Sequence, residues 1–365
     1  MKSQLLKHNV GIDIDLKTFK VQFRELYMDQ SQKIKGSTKF DNTVSGFKEF
    51  WKWVQKRMKD GISIHFTMEA TGVYYENLAY FLVDQNQEVH VILPSQSKAY
   101  IESLNIKLRD DKIDAQALAM MGLERQLPRW EPISPQMRLL KKLSRERSRM
   151  LKFKTMIANQ LHAEEHSYNP CKSTIKRLNQ LIKNLDKKMK SIEKELRLET
   201  AKDPSLDRKV KAICMVKGLQ FISVITVIAE MNGFILFNNK NQVVSFGGYD
   251  VINKESGTSV KTKPRISKQG NPHIRRVLHF PAITAVKYNE QYRKLFDRIF
   301  FKTRIKMKGY VAVQRKLLLL IYTLFKYDVQ YNEQHYLKVQ QMHQKNEKSV
   351  KENEVIDLVK EALPN

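Results

Sequence analysis

The sequence predicts an α/β layer followed by two helical segments, and three observations predict it. Apolar residues alternate along 9–27, the pattern of half-buried strands. Strand patterns then alternate with helical ones as far as residue 123. From Ile175 to Leu196, apolar residues recur at spacings of three and four, the period of a helix seam.

Val10, Ile12 and Ile14, then Phe19, Val21 and Phe23 after Leu16-Lys17-Thr18, read as a β-hairpin with Asp13 inside its first strand. Phe47, Phe50, Trp51 and Val54 follow the turn-like Asn42-Thr43 at helical spacing, predicting an amphipathic helix over 44–58. Ile62 to Met68 reads as a strand with Glu69 at its carboxyl end, before an Ala-Thr-Gly turn. Tyr75 to Val83 reads as a helix, Val89 to Leu93 as a strand closed by Pro94, and Lys112 to Leu123 as a helix with Asp111 at its start. Such alternation implies some parallel pairing. Asp111 and Asp114, three apart, share one helix face.

In 129–205 a loose stripe of Leu139, Leu143, Met150, Phe153, Ile157 and Leu161 is broken around Asn169-Pro170. The seam Ile175, Leu178, Ile182, Leu185, Met189, Ile192, Leu196 follows, its other faces crowded with cations that include Lys176, Arg177, Lys183 and Lys187. They form either the solvated face of a helical hairpin or a dimerisation arm gripping phosphate; the two are compatible. Over 206–330, Val216 to Glu230 predicts a turn entering a buried helix, and Phe246-Gly-Gly-Tyr249 a tight turn. The tail 331–365, rich in Gln, Lys, Asn and Glu, is expected to be partly disordered, with a short helix over 355–363. The segments are thus 1–128, 129–205, 206–330 and 331–365.

Charge narrows the function. The net formal charge is +27, yet residues 1–125 hold 18 Lys and Arg against 16 Asp and Glu, while 126–365 hold 47 against 22. A basic surface of that size fits a nucleic-acid partner. Cys171 and Cys214 form neither a disulfide framework nor a CxxC motif. No signal-peptide core opens the chain and no apolar run approaches a membrane span, so the expected location is cytoplasmic.

Asp13, Glu69, Asp111 and Asp114 stand at two strand ends and a helix start within this basic chain. Mg²⁺-assisted phosphoryl transfer needs several carboxylates converging on one small volume, and such positions supply it. Each acid taken singly is also an ordinary solvated or capping residue; Asp15 and Asp110 are acidic neighbours without a role, and Asp111 suits an N-cap. Glu255-Ser256-Gly257 precedes the cations Lys261, Lys263, Arg265 and Lys268, with Arg275 and Arg276 beyond. Cations there would support a serine nucleophile toward phosphate, although Ser-Gly is also a common turn.

Gly-Ile-Asp, Glu-Ala-Thr-Gly, Asp-x-x-Asp-Ala, Phe-Gly-Gly, Glu-Ser-Gly, Arg-x-Ser-Lys-x-Gly-Asn and a late Arg315-Lys316, in that order over about 9–327, resemble the DEDD transposases of the insertion-sequence family numbered one hundred and ten. The resemblance implies an RNase H-like (RuvC-like) N-terminal domain, a helical coiled-coil middle domain and a mainly α-helical C-terminal transposase domain. It implies that Asp13, Glu69, Asp111 and Asp114 hold Mg²⁺ or Mn²⁺, and that Ser256 forms a transient phosphoserine link to DNA. It further implies element ends and target DNA as substrates, a structured noncoding guide RNA, and a homo-oligomer, dimer or tetramer. The chain departs from the family pattern at Lys217-Gly218-Leu219-Gln220, where Pro-Gly-Ile-Gly is usual, and at Val251, where proline is common. Two other readings stay open: a metal-dependent nuclease or Holliday-junction resolvase-like enzyme without serine chemistry, and a non-catalytic nucleic-acid-binding scaffold.

Overall fold

A computed structural model of the chain describes residues 3–105, 111–252, 255–256, 260–261 and 265–331, with backbone alone at 111–112, 255–256 and 260–261. Lys263, Gly257 and nearly all of the predicted polar tail lie outside the described residues. The chain divides between Pro132 and Ile133 into two compact units. Among the described residues no helix is long and apolar enough to cross a membrane.

Unit 1 opens with an antiparallel meander of β1 (Leu5–Ile14), β2 (Thr18–Tyr27) and β3 (Gln32–Asp41). The predicted hairpin is present, in a register that places Val10 against Phe23 and Ile12 against Val21. The third strand escaped the sequence reading for a physical reason: β3 is an edge strand, exposed or half-buried throughout, so it carries no apolar alternation. Thr43 then accepts a hydrogen bond from the Gly46 amide and caps α1 (Val44–Gln55), as its Asn-Thr turn suggested. β4 (Ile64–Glu69), α2 (Glu76–Asp84), β5 (Glu88–Ile92), α3 (Pro94–Ser103) and α4 (Asp111–Glu124) complete the unit. The sheet order is β3-β2-β1-β4-β5, with β4 parallel to β1 and β5 parallel to β4.

Strand alternation sorts the side chains by face. Val10, Ile12 and Ile14, with Phe19, Val21, Phe23, Phe66 and Met68, form one core with Phe47, Phe50 and Val54 of α1 and Leu78 and Leu82 of α2. The intervening residues, Asn9, Gly11 and Asp13 on β1 and Thr67 and Glu69 on β4, therefore face the other way. That second face is where α4 lies.

Unit 2 begins with two long helices, α5 (Pro135–Glu165) and α6 (Lys172–Ala201), packed along each other and joined by a turn in which Asn169 takes a left-handed φ of 64° just before Pro170. Along the seam of α6, Ile175, Leu178, Ile182 and Leu185 are half-buried, and Met189, Ile192 and Leu196 are buried. Arg147 to Glu193 and Lys154 to Asp186, each 2.6 Å, tie the two helices together. Beyond them come α7 (Pro204–Cys214), α8 (Phe221–Glu230) and α9 (Lys240–Phe246). The short ladders β6 (Val251–Ile252) with β9 (Arg265–Ile266) and β7 (Glu255–Ser256) with β8 (Val260–Lys261) follow, then α10 (Pro272–Val277), α11 (His279–Tyr288), α12 (Glu290–Thr303) and α13 (Lys306–Lys326). Val224, Ile225, Val227 and Ile228 of α8 are wholly buried, and they share one core with Leu317, Leu318 and Ile321 of α13.

Candidate active site

The acid site of unit 1 follows from how closely α4 sits on the sheet. A Cβ on Gly11 would lie 2.1 Å from the Ala115 carbonyl oxygen and 2.2 Å from the Ala119 amide nitrogen. One on Gly122 would lie 2.2 Å from Asn9 Nδ2 and 2.3 Å from Thr67 Oγ1. Glycine at both points is a packing requirement. Buried Asn9 fixes the helix along its length: its Nδ2 donates to the carbonyl oxygens of Leu118 (3.3 Å) and Ala119 (2.8 Å), and its Oδ1 accepts from the Thr67 hydroxyl (3.0 Å).

These contacts set the direction. Gly122 lies over Asn9 and Thr67, and Ala119 and Ala115 lie over Gly11, so α4 runs toward its own N-terminus as β1 runs toward Asp13. Continued in that direction, α4 leads toward Asp114 and its start at Asp111 as β1 and β4 lead toward Asp13 and Glu69. Ile12 pairs with Met68, so Asp13 and Glu69 are the following residues of two adjacent parallel strands. Asp13, Glu69 and Asp114 are half-buried, and Lys20 stands across from Asp13 in the β1–β2 register. Glu69 is held from two sides: the Ser97 hydroxyl donates to Oε2 (2.5 Å) and the Thr71 hydroxyl to Oε1 (2.9 Å). Neither hydroxyl was singled out from the sequence, although Thr71 lies inside the quoted Glu-Ala-Thr-Gly. An all-oxygen donor set on strand ends and a helix start suits a hard divalent cation.

In unit 2, Ser256 lies on the two-residue strand β7, paired with Val260. Arg265, Lys268 and Arg276 are exposed, as are Lys176, Arg177, Lys183 and Lys187 on α6. Arg275 is placed differently: its guanidinium donates to the carbonyl oxygens of Gly247 (2.9 Å), Lys268 (3.2 Å) and Asn271 (3.4 Å), holding the loop ahead of α10. A cleft of about 540 Å³ in this unit is lined by Arg147, Arg197, His273, Arg276 and Phe280 among others.

Arg145, which also lines that cleft, forms an ion pair with a buried acid that the sequence reading missed. Arg145 on α5 reaches Glu230 at the end of α8 through two hydrogen bonds of 2.6 and 2.9 Å, and Asn271 adds a third of 2.6 Å. The signal was available, since an acid closing an otherwise apolar helix needs a partner. Burial alone would push the Glu230 carboxyl up, but the hydrogen bonds from Arg145 and Asn271 and the charges of Arg145 and Lys141 outweigh it and hold the group below the ordinary carboxylate range. With the folded value depressed, the stabilisation is present above the unfolded value and lost as pH falls through the folded one. Arg145→Met should destabilise unit 2 by about 2–3 kcal/mol at neutral pH, somewhat under the usual cost because Asn271 still donates and Arg145 is partly exposed. Urea titrations of both proteins down through the carboxylate range should show that difference shrinking.

Comparison with known proteins bears on both units. Residues 10–170 match a family model described as "Transposase", of the DEDD type of IS110 elements, and residues 210–297 match one described as "Transposase IS116/IS110/IS902 family". The pilin gene-inverting proteins of Moraxella bovis and Moraxella lacunata are each 25% identical to the chain over 325 residues, spanning 88% of it and 96% of themselves. Among solved structures, T. thermophilus RuvC in complex with a Holliday junction substrate is 10% identical, with 34% of this chain and 99% of RuvC covered and a TM-score of 0.27. An Aquifex aeolicus member of the Ppx/GppA family is 10% identical, with 89% and 92% covered and a TM-score of 0.20. TM-scores this low do not establish a shared fold.

Proposed function

The chain belongs to the IS110 family of transposases and is a DNA recombinase, and from that premise we propose that it mobilises an insertion sequence by cutting and rejoining DNA through a phosphoserine intermediate at Ser256. The observation that supports the acid half of this reading is the seating of α4 across Gly11, which directs its N-terminal turn toward the ends of β1 and β4 that carry Asp13 and Glu69. The sheet order β3-β2-β1-β4-β5, antiparallel then parallel, is that of RNase H-like folds and supports the same half.

Asp13, Glu69, Asp111 and Asp114 would hold Mg²⁺ or Mn²⁺, which when bound neutralises phosphate charge and polarises the phosphodiester. Ser97 and Thr71 keep Glu69 aimed, so that little reorganisation is needed when DNA arrives. Ser256 Oγ attacks the phosphorus, forming a phosphoserine ester and releasing one DNA hydroxyl. A hydroxyl of the exchanged strand then attacks that ester, restores the serine and leaves no free end. The exposed cations Lys176, Arg177, Lys183, Lys187, Arg265, Lys268 and Arg276 hold phosphate backbone, and Lys261 and Lys263 complete the set. In this reading Arg275 acts at one remove, by shaping the loop that presents Lys268. The α5–α6 hairpin serves as a coiled-coil arm for a homo-oligomer, and a noncoding RNA from the element guides the choice of element end and target.

The test uses purified protein, DNA carrying the element's end and flank, and the transcribed end RNA, resolved on a denaturing gel. The expected result is a covalent protein–DNA adduct that requires Mg²⁺ or Mn²⁺ and drops by at least about 10³-fold in Asp13→Asn, the order of effect for losing transition-state charge stabilisation. Metal-dependent free ends with no adduct would transfer the reading to a nuclease that cuts with water. Silence under every condition, with DNA still bound, would favour a scaffold.

A further inference from the structure

At the end of the sheet away from the acids, parallel pairing of His65 with Glu88 brings the starts of β4 and β5 together on the face that carries α4. His65 Nδ1 and His90 Nε2 are 3.0 Å apart, and Glu88 Oε1 lies 3.5 Å from the first and 3.6 Å from the second. The rings are nearly parallel, 10° apart, with centroids 5.2 Å apart, so they meet edge to edge through these two nitrogens. A point equidistant from three atoms with those separations lies about 2.0 Å from each, the length of a zinc bond to imidazole nitrogen or carboxylate oxygen.

The surroundings favour a ligand set over a chance contact. His90 is 3% exposed, and its Nδ1 lies 3.0 Å from the Pro128 carbonyl oxygen. A carbonyl can only accept, so Nδ1 carries the proton, and in the neutral ring Nε2 turns its lone pair toward the other two atoms. A backbone carbonyl fixing the second nitrogen is the usual support of a metal-bound imidazole. Glu88 is 43% exposed, leaving one side open for entry and for a fourth ligand. The Lys7 ammonium, on the same face, is engaged by the Gly122 carbonyl at 2.6 Å. Two imidazoles and one carboxylate form a borderline donor set, unlike the all-oxygen acid site, and do not suit Mg²⁺.

We propose that His65, Glu88 and His90 form a second metal site, selective for Zn²⁺, which clips β4 to β5 and, through His90 and Pro128, to the chain leaving α4. The site is separate from the recombination chemistry.

Zinc chloride alone is the probe, added to chelator-stripped full-length protein in competition with a chromophoric chelator, with bound zinc counted by elemental analysis. Wild type and Asp13→Asn should each retain one zinc per chain in that competition and gain thermal stability on loading. His65→Ala and Glu88→Ala, both at partly exposed positions, should fold normally by circular dichroism and bind zinc at least about a hundredfold more weakly. Cobalt(II) should give the visible bands of tetrahedral coordination in wild type and lose them in His65→Ala. Wild-type zinc affinity in either alanine variant would overturn the site, because the three side chains would then be only a hydrogen-bonded cluster; so would a wild-type protein that retains no zinc. The readout is metal uptake, so failure of the phosphoserine reading leaves this test intact.

Discussion

Ser256→Ala is expected to eliminate the protein–DNA adduct entirely and to reduce strand joining by at least about 10⁴-fold, the scale seen when a covalent nucleophile is removed. The reasoning is atomic: without Oγ, residue 256 has no oxygen with which to form the ester. The acids of unit 1 are untouched, so metal uptake and DNA binding should stay within about twofold of wild type, an estimate that follows from leaving every phosphate contact in place. That pattern separates the readings. A nuclease using activated water would keep cutting in Ser256→Ala and stop in Asp13→Asn, whereas phosphoserine chemistry stops in both. Salt-sensitive DNA binding is common to all readings of a chain with net charge +27 and decides nothing.

What could be read from the chain depended on how local the physics was. Val10-Gly-Ile-Asp-Ile-Asp15 announces a half-buried strand, because alternation is a property of one segment. Thr43 ahead of Val44 announces a helix start for the same reason. The placement of Glu69 at a strand end also needed only its own segment. β3 was invisible because an edge strand has no buried face to record, and α3 because Pro94-Ser-Gln-Ser-Lys98 carries little helical stripe. Asp203-Pro204, an N-cap followed by proline at the first helical position, is a local signal for the start of α7. The site itself needed relations between segments. The direction that carries Asp114 toward Asp13 and Glu69 is known only once α4 is seen to cross Gly11, and His65 meets Glu88 and His90 only once the β4–β5 register is known. Ser256 belongs to a third kind: the role proposed for it rests on resemblance to a family, and a two-residue strand in a cation-rich loop would not have suggested it.

Gly11→Ala is the substitution that tests the relation on which the acid site depends. A methyl group there would meet the backbone of α4, with the Ala115 oxygen at 2.1 Å, the Ala119 nitrogen at 2.2 Å and the Ala119 Cα at 2.7 Å. Backbone atoms cannot rotate away as a side chain can, so the helix must lift from the sheet. Lifting it stretches the Asn9 bonds to the Leu118 and Ala119 carbonyls, leaving a buried amide with weakened partners. Overpacking and polar loss together should cost about 3 kcal/mol or more, at the severe end for one methyl group. Gly36→Ala is the matched control in the same sheet. Its Cβ would meet Arg57 Nε and Trp53 Cζ2 at 3.0 Å each, side-chain atoms that can give way where backbone cannot, and the expected cost is under about 1 kcal/mol. Urea unfolding of the two variants should show that contrast. In whatever fraction of Gly11→Ala remains folded, Asp114 is displaced from Asp13 and Glu69, so metal-dependent adduct formation should fall further than stability alone accounts for. If Gly11→Ala unfolds with the wild-type midpoint, α4 does not cross β1 at this point, and the convergence of the acids would lose its physical basis.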